Sequence, residues 1–145
     1  MEDHNSPEAV AQRANQEDPI VMYLIVRESL NMSPGKLGAQ CGHAAQIALI
    51  KYFDLLQEEM CNWDTSAQLP IFREWLEGSF RKVTLTADDK EWEKVKEVFV
   101  EGVMRFTVVD AGLTEIPAGS ETVIAVWPLH KSQRPKILQK LQALK

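Results

Sequence analysis

The sequence predicts an α/β fold: a three-layer α/β/α sandwich around a small mixed, mostly parallel four-stranded sheet. Three observations predict it. Apolar, β-branched runs alternate with segments of helical period, the order in which crossovers join parallel strands. Ile20 to Val26 is apolar on both faces and the centre of Glu121 to Trp127 is continuously apolar, as when helices cover both sides of a sheet. The last two strands are separated by about a dozen residues without a helical pattern, so one of them can run antiparallel.

Taken in order, residues 1–18 show no hydrophobic period and predict an acidic, flexible tail, with the folded domain spanning 19–145. Pro19 precedes Ile20 to Val26, a run expected to be a buried strand. Ser33 is a suitable N-cap and Pro34 suits a first helical position. A long helix should run from Pro34 to Met60, with Leu37, Cys41, Ala44, Ala45, Ala48, Leu49, Tyr52, Leu55 and Leu56 on its apolar stripe. Its small residues, Gly38 and Gly42 among them, suggest close approach to another backbone or a ligand. Residues 62–70 read as a loop, then a short helix from Ile71 to Glu77 stops at Gly78. Phe80 to Thr86 alternates like a strand, with Val83 and Leu85 inward. Asp88 starts a helix whose stripe is Trp92, Val95, Val98 and Phe99. Strands follow at Met104 to Val109 and at Glu121 to Trp127. A terminal helix is expected from Ser132 to Leu144, with Ile137, Leu138, Leu141 and Leu144 inward.

The chain has 145 residues, enough for one domain with a core that needs no staples. Hydrophobic residues are 45% and charged residues 26%, an ordinary globular composition. No apolar run approaches the ~18 residues that cross a bilayer. The start, MEDHNSPEAVAQ, lacks a basic segment followed by an apolar one, so a cytoplasmic location is expected. Cys41 and Cys61 have no metal-type spacing, and Cys41 reads as a small packing residue. Net charge is −5, which by itself argues against a polyanionic partner. Five acids and one base place −4 of it in residues 1–18. The last fifteen residues carry Lys131, Arg134, Lys136, Lys140 and Lys145 with no acid, a stripe that can meet phosphates or simply form a solvated helix face.

Open α/β sheets place ligands beyond the carboxyl ends of their strands. Two segments leave such ends with distinctive chemistry. Asn31 to Lys36 opens the long helix, where free N–H groups favour an anion. It is not a Walker loop, because the first glycine and the Lys-Ser/Thr pair are missing. Lys36 sits in the first turn, where a cation opposes the helix dipole. Such a residue is expected to have a partner, although a solvent-exposed lysine is the plainer alternative. Gln40 and His43 follow at i+4 and i+7 on the same face. His43 alone reads more simply as a hydrogen-bonded, partly buried histidine. The second segment, Asp110 to Thr122, places an acid at a strand's end, then a glycine turn at Gly112 and hydroxyls, a pattern suited to handling water. The alternative is that Asp110 and Thr114 only satisfy each other and the turn backbone.

At these residues the chain resembles the type II peptidyl-tRNA hydrolases. That family carries a helix-opening GK-x-x-AQ-x-x-HA pattern, matched by Gly35-Lys36-Leu37-Gly38-Ala39-Gln40-Cys41-Gly42-His43-Ala44. Its D-A-G-R-T-Q-I pattern is matched by Asp110-Ala111-Gly112-Leu113-Thr114-Glu115-Ile116, followed by Pro117, Gly119 and Thr122-Val123. The resemblance implies hydrolysis of the ester between a peptide and tRNA, with peptidyl-tRNA as substrate. It implies a small mixed sheet between helices, a possible homodimer, no cofactor and no metal. It carries functional roles onto Lys36, Asp110, Thr114 and Thr122. Gln40, His43, Gly112, Lys131 and Arg134 are the expected substrate-binding residues. Two positions depart: the usual arginine is Leu113 and the usual glutamine is Glu115, a change of two charge units that should weaken polyanion binding. The family's glycine-rich IGP is replaced by Val126-Trp127-Pro128. Two other readings stay open: a non-catalytic nucleotide-, RNA- or protein-binding module on the same fold, and a small-molecule hydrolase with His43 as its base.

Overall fold

A computed structural model of the chain describes residues 6–14, 17–59, 68–112 and 115–145. Its elements are α1 (Pro7–Ala14), β1 (Ile20–Arg27), α2 (Pro34–Glu59), α3 (Leu69–Glu77), β2 (Lys82–Ala87), α4 (Asp89–Val98), β3 (Arg105–Val109), β4 (Glu121–Val126), β5 (Leu129–His130), α5 (Lys136–Lys140) and β6 (Gln142–Ala143). Short 3-10 turns at Glu28–Leu30 and Lys131–Gln133 follow β1 and β5. No helix among the described residues is long and apolar enough to cross a membrane.

The sheet runs β3-β4-β1-β2-β6, with β5 pairing β1. The three-layer α/β arrangement is as expected, but the sheet has six strands rather than four. Among the named strands, parallel pairing is confined to β1 and β2; β1–β4, β1–β5, β2–β6 and β3–β4 are antiparallel. The expected strands are all present. The additions, β5 and β6, are two residues each, too short to carry an alternating pattern.

β1 shows why the sheet is central. Ile20, Met22, Leu24 and Val26 pack on one face with α2 and α3, while Val21, Tyr23 and Ile25 pack on the other with α4 and α5. Period-two alternation with both faces apolar requires a helix layer on each side. Under α3, Tyr52 stacks on Phe72 at 4.4 Å between ring centroids, and Phe72 meets Trp127 at 4.7 Å. Burying each such ring stabilises the fold by roughly 1.5–3 kcal/mol.

Local signals set most boundaries. The Leu37 N–H donates to the Ser33 carbonyl, so α2 begins where Ser33 and Pro34 predict. Ala44 and Ala48 are fully buried and let α2 lie close to the sheet. The glycines do not serve that purpose: a Cβ at Gly38 or Gly42 would meet nothing within 4 Å. Cys41 is only half-buried, and burial pushes its thiol pKa up. The Asp88 carboxylate accepts the Glu91 N–H at 2.8 Å and the Glu91 carboxylate accepts the Asp88 N–H at 3.0 Å, a full capping box for α4. Trp92, Val95 and Phe99 form the buried stripe; Val98, off the i, i+3, i+7 line, is exposed.

Both termini differ from expectation. Within the segment read as a flexible tail, α1 forms, capped where the Ala9 N–H meets the Ser6 hydroxyl at 3.2 Å and Pro7 takes the first position. The expected helix from Ser132 to Leu144 shrinks to α5. Pro135 starts it late, and the chain then extends at Leu141 so that β6 can cover the β2 edge. Ile137, Leu138 and Leu141 are buried as expected, but Leu144 is exposed. The loop read at 62–70 lies mainly outside the described residues, as does Cys61; α3 begins two residues earlier than expected, at Leu69.

Candidate active site at the mouth of α2

β1 ends at Arg27 and the chain passes through a 3-10 turn, with Asn31 left-handed at φ 45°, before entering α2. β3 ends beside this entry. Its register against β4 shifts between Thr107 and Val109, an irregularity that bends a strand and re-aims its side chains. Val108 is consequently buried, Val109 faces solvent and Asp110 turns inward.

There Asp110 meets Lys36. The Lys36 Nζ lies 2.5 Å from Asp110 Oδ1, and the two side chains are 10% and 6% exposed. The cation that opposed its own helix dipole has found its partner on the next strand end. Gln40, one turn along α2, donates from Nε2 to the same carboxylate oxygen at 3.3 Å and accepts the Thr122 hydroxyl at Oε1 at 2.6 Å. Gln40 and Thr122 are both buried. The Gly112 N–H donates to Asp110 Oδ2 at 2.7 Å. Asp110 is therefore held from three directions, and Thr122 sits behind Gln40 rather than on the open side.

The turn needs its glycine. Gly112 has φ 76°, and a Cβ there would lie 2.5 Å from the Ala118 backbone. The loop closes on itself through Asp110 N–H to Ser120 and Gly119 N–H to Asp110. It is also fastened to α2. Glu115 accepts the Ser33 N–H at 2.8 Å and the Ser33 hydroxyl at 2.6 Å. Ser33 was expected as an N-cap, and its hydroxyl does reach the Lys36 N–H at 3.4 Å, but its link to Glu115 spans 82 residues and no sequence spacing announces it.

These groups surround a pocket of about 600 Å³ lined by Lys36, Gln40, His43, Val109, Asp110 and Glu115, with Gly35, Ala39, Val108 and Ala111 completing the wall. His43 is exposed on this wall, not partly buried. The hydrogen bond from Lys36 is the main reason the Asp110 pKa is lowered, with the Gly112 N–H and the Lys36 and His43 charges adding to it against the cost of desolvation. Asp110 is therefore a carboxylate across the neutral range and a weak proton acceptor. Among the described residues no group of three or more His, Cys, Asp or Glu gathers to hold a metal ion.

The expected site residues divide. Lys36, Gln40, Asp110, Gly112 and Thr122 form one connected network, and His43 borders it. Leu113 and Thr114 lie outside the described residues. Lys131 and Arg134 lie at the other end of the sheet: the Lys131 N–H donates to the Pro19 carbonyl, and His130 pairs with Ile20 at the start of β1. The length of β1, eight residues, separates them from Lys36 by roughly 25 Å.

Residues 20–144 match the family model described as Peptidyl-tRNA hydrolase PTH2. The chain is 35% identical over 113 residues to the probable peptidyl-tRNA hydrolase 2 of Dictyostelium discoideum, covering 74% of this chain and 47% of that one. It is 31% identical over 131 residues to the peptidyl-tRNA hydrolase of Pyrobaculum aerophilum, covering 87% of this chain and 98% of that one. With peptidyl-tRNA hydrolase 2 of Saccharomyces cerevisiae it is 33% identical over 114 residues, covering 77% and 51%. The chain thus spans about half the length of the two eukaryotic relatives and nearly all of the archaeal one. By the match over residues 20–144, the chain belongs to the peptidyl-tRNA hydrolase PTH2 family.

Proposed function

We propose that this chain hydrolyses the ester bond between a peptide and tRNA, releasing the peptide and recycling the tRNA. The observation that carries the reading is the Lys36–Asp110 pair, 2.5 Å apart at the edge of an open pocket, in a chain of this family. Relatives bearing the name peptidyl-tRNA hydrolase support it.

The reaction adds water across the acyl–oxygen bond. The water oxygen bonds to the carbonyl carbon, negative charge develops on the carbonyl oxygen, and the bond to the ribose oxygen breaks as that oxygen takes the proton given up by the attacking water. An ionised carboxylate offers about four lone-pair sites. Lys36, Gln40 and Gly112 use three at Asp110, which leaves room for one water. With its pKa lowered, Asp110 orients that water rather than removing its proton. The Lys36 ammonium has three donors, one of them directed at Asp110. The others serve the oxyanion, where a preorganised charge acts most strongly. Gln40 and Thr122 position Asp110 from behind, and Thr114 belongs to the same proposal as a hydroxyl on the water-handling loop. A cytoplasmic site of action and a homodimeric assembly are further parts of the reading, checked by fractionation and by sedimentation.

The test is single-turnover cleavage of peptidyl-tRNA by wild type, Lys36→Ala and Asp110→Ala. Losses of about 10²–10³-fold in both variants are expected. Equal rates in all three would remove the mechanism, and no cleavage by wild type would leave a binding module in its place.

A further inference from the structure

We propose that Glu115 is a specificity-determining residue: its carboxylate, fastened to Ser33 just before α2, stands at the positive mouth of that helix, so the reacting end of the substrate enters this pocket with its phosphates outside. The inference rests on the ester-hydrolase reading above. The first turn of a 26-residue helix, with free N–H groups and the positive end of its dipole, is ordinarily an attractive place for a phosphate. Here a carboxylate of the protein already stands at that mouth, held by the residue before the first turn, whose hydroxyl also reaches the Lys36 N–H at 3.4 Å. The Ser33 N–H and hydroxyl both donate to Glu115, at 2.8 and 2.6 Å. Those bonds, hydroxyl first, hold the Glu115 pKa down, with the Lys36 charge contributing, so the helix mouth carries this full negative charge at neutral pH.

The balance of charge in the pocket points the same way. Lys36 is matched by Asp110 at contact distance, and Glu115 on the same wall has no second lysine or arginine among the lining residues. A phosphate brought to the mouth of α2 would face this carboxylate at short range without displacing it. Like charges about 5 Å apart at a partly solvated surface lower affinity by roughly tenfold. Uncharged groups suffer no such penalty. The ester carbonyl, ribose hydroxyls, base and peptide amides can all occupy a pocket of about 600 Å³.

Adenosine and adenosine 5′-phosphate, which share a nucleoside and differ by the phosphate, serve as probes against wild type, Glu115→Gln and Ser33→Ala. Glu115 is exposed, and glutamine keeps its shape and an acceptor for Ser33, so the variant should fold normally; a thermal melt checks this. Wild type is expected to bind adenosine at least as well as its phosphate. Glu115→Gln should bind the phosphate about tenfold tighter with adenosine unchanged. Its KM for peptidyl-tRNA should fall and depend on salt more steeply, by about one phosphate contact. Ser33→Ala, which keeps the carboxylate, should gain nothing for the phosphate. The proposal is overturned if Glu115→Gln alters both probes equally or neither, if wild type already prefers the phosphate, or if no form binds either probe. If wild type cleaves no peptidyl-tRNA but the probes still respond to Glu115→Gln, the hydrolase reading fails while this inference stands.

Discussion

The two ends of the sheet both carry charge, and they use it differently. At the carboxyl end of β1, Lys36 and Asp110 are almost wholly withdrawn from solvent and tied through Gln40 to Thr122. At the amino end, Asp18 accepts bonds from Ser132 at 2.9 and 2.7 Å, and Lys131 lies in the open. Each cluster joins residues remote in sequence. The first lines its pocket with Lys36, Gln40 and Asp110, whereas the pocket at the amino end, lined by Pro19, Ile20 and Trp75, includes neither Asp18 nor Ser132. The second fastens the chain before β1 to the turn after β5, which is a structural task. A buried charge pair is hard to maintain unless every partner is present, whereas an exposed pair contributes about 1 kcal/mol or less. Convergence and burial, rather than charge itself, set the candidate site apart.

The largest effects should sharpen this contrast. Lys36→Ala removes the main cause that keeps the Asp110 pKa low. In wild type, a lowered carboxylate pKa means that the pair's contribution is fully present at neutral pH and is lost only as pH falls through the lowered value. Wild-type turnover should therefore be insensitive to Asp110 protonation down to about pH 5. In Lys36→Ala the residual activity should gain an acid limb at higher pH than wild type shows. A pH–rate profile checks both, and an unmoved limb would disconnect the two residues.

Gly112→Ala comes next. It forces a Cβ to within 2.5 Å of the Ala118 backbone at a positive φ, so stability should fall by about 1–3 kcal/mol and turnover with it. Denaturant melts read the first and single-turnover rates the second. Gln40→Leu leaves the Thr122 hydroxyl without its 2.6 Å acceptor and Asp110 without one donor. About tenfold slower turnover with KM nearly unchanged is expected, since Gln40 acts through Asp110. A change confined to KM would instead make Gln40 a substrate contact. The smallest effect belongs to the far end: Lys131→Ala with Arg134→Ala should leave the rate on a short acylated nucleoside within about twofold, and for full-length tRNA should change only the salt slope. A large loss on the short substrate would break the contrast between the two ends.

Much of the fold was legible because it repeats. β1, α2 and α4 carry many residues of one period, and Asp88 and Ser33 cap where side-chain chemistry says they should. The sheet's parallel character was overestimated because β4 lies antiparallel between β3 and β1, and β5 and β6, two residues each, have no period to read. Ile137, Leu138, Leu141 and Leu144 fit a helix by spacing, yet an unpaired β2 edge draws Gln142–Ala143 into a strand. In the site, Lys36 and Asp110 were legible from position: one at a helix mouth, one at a strand end. The network that joins them was not. Gln40 bridges Asp110 and Thr122 across 70 and 82 residues, and Glu115 reaches Ser33 across 82, distances that no local pattern encodes. Glu115, read from sequence as a simple loss of affinity for a polyanion, turns out to be fastened to the helix that opens the pocket.

The most direct test of Lys36 and Asp110 acting as one unit is a double-mutant cycle. Single-turnover rates on peptidyl-tRNA would be compared for wild type, Lys36→Ala, Asp110→Ala and the double variant. Residues that work as a unit lose most of their effect with the first change. The double variant should be no more than a few-fold slower than the slower single variant. Losses that multiply, each change costing the same whether or not the other is present, would show two independent groups and contradict the account.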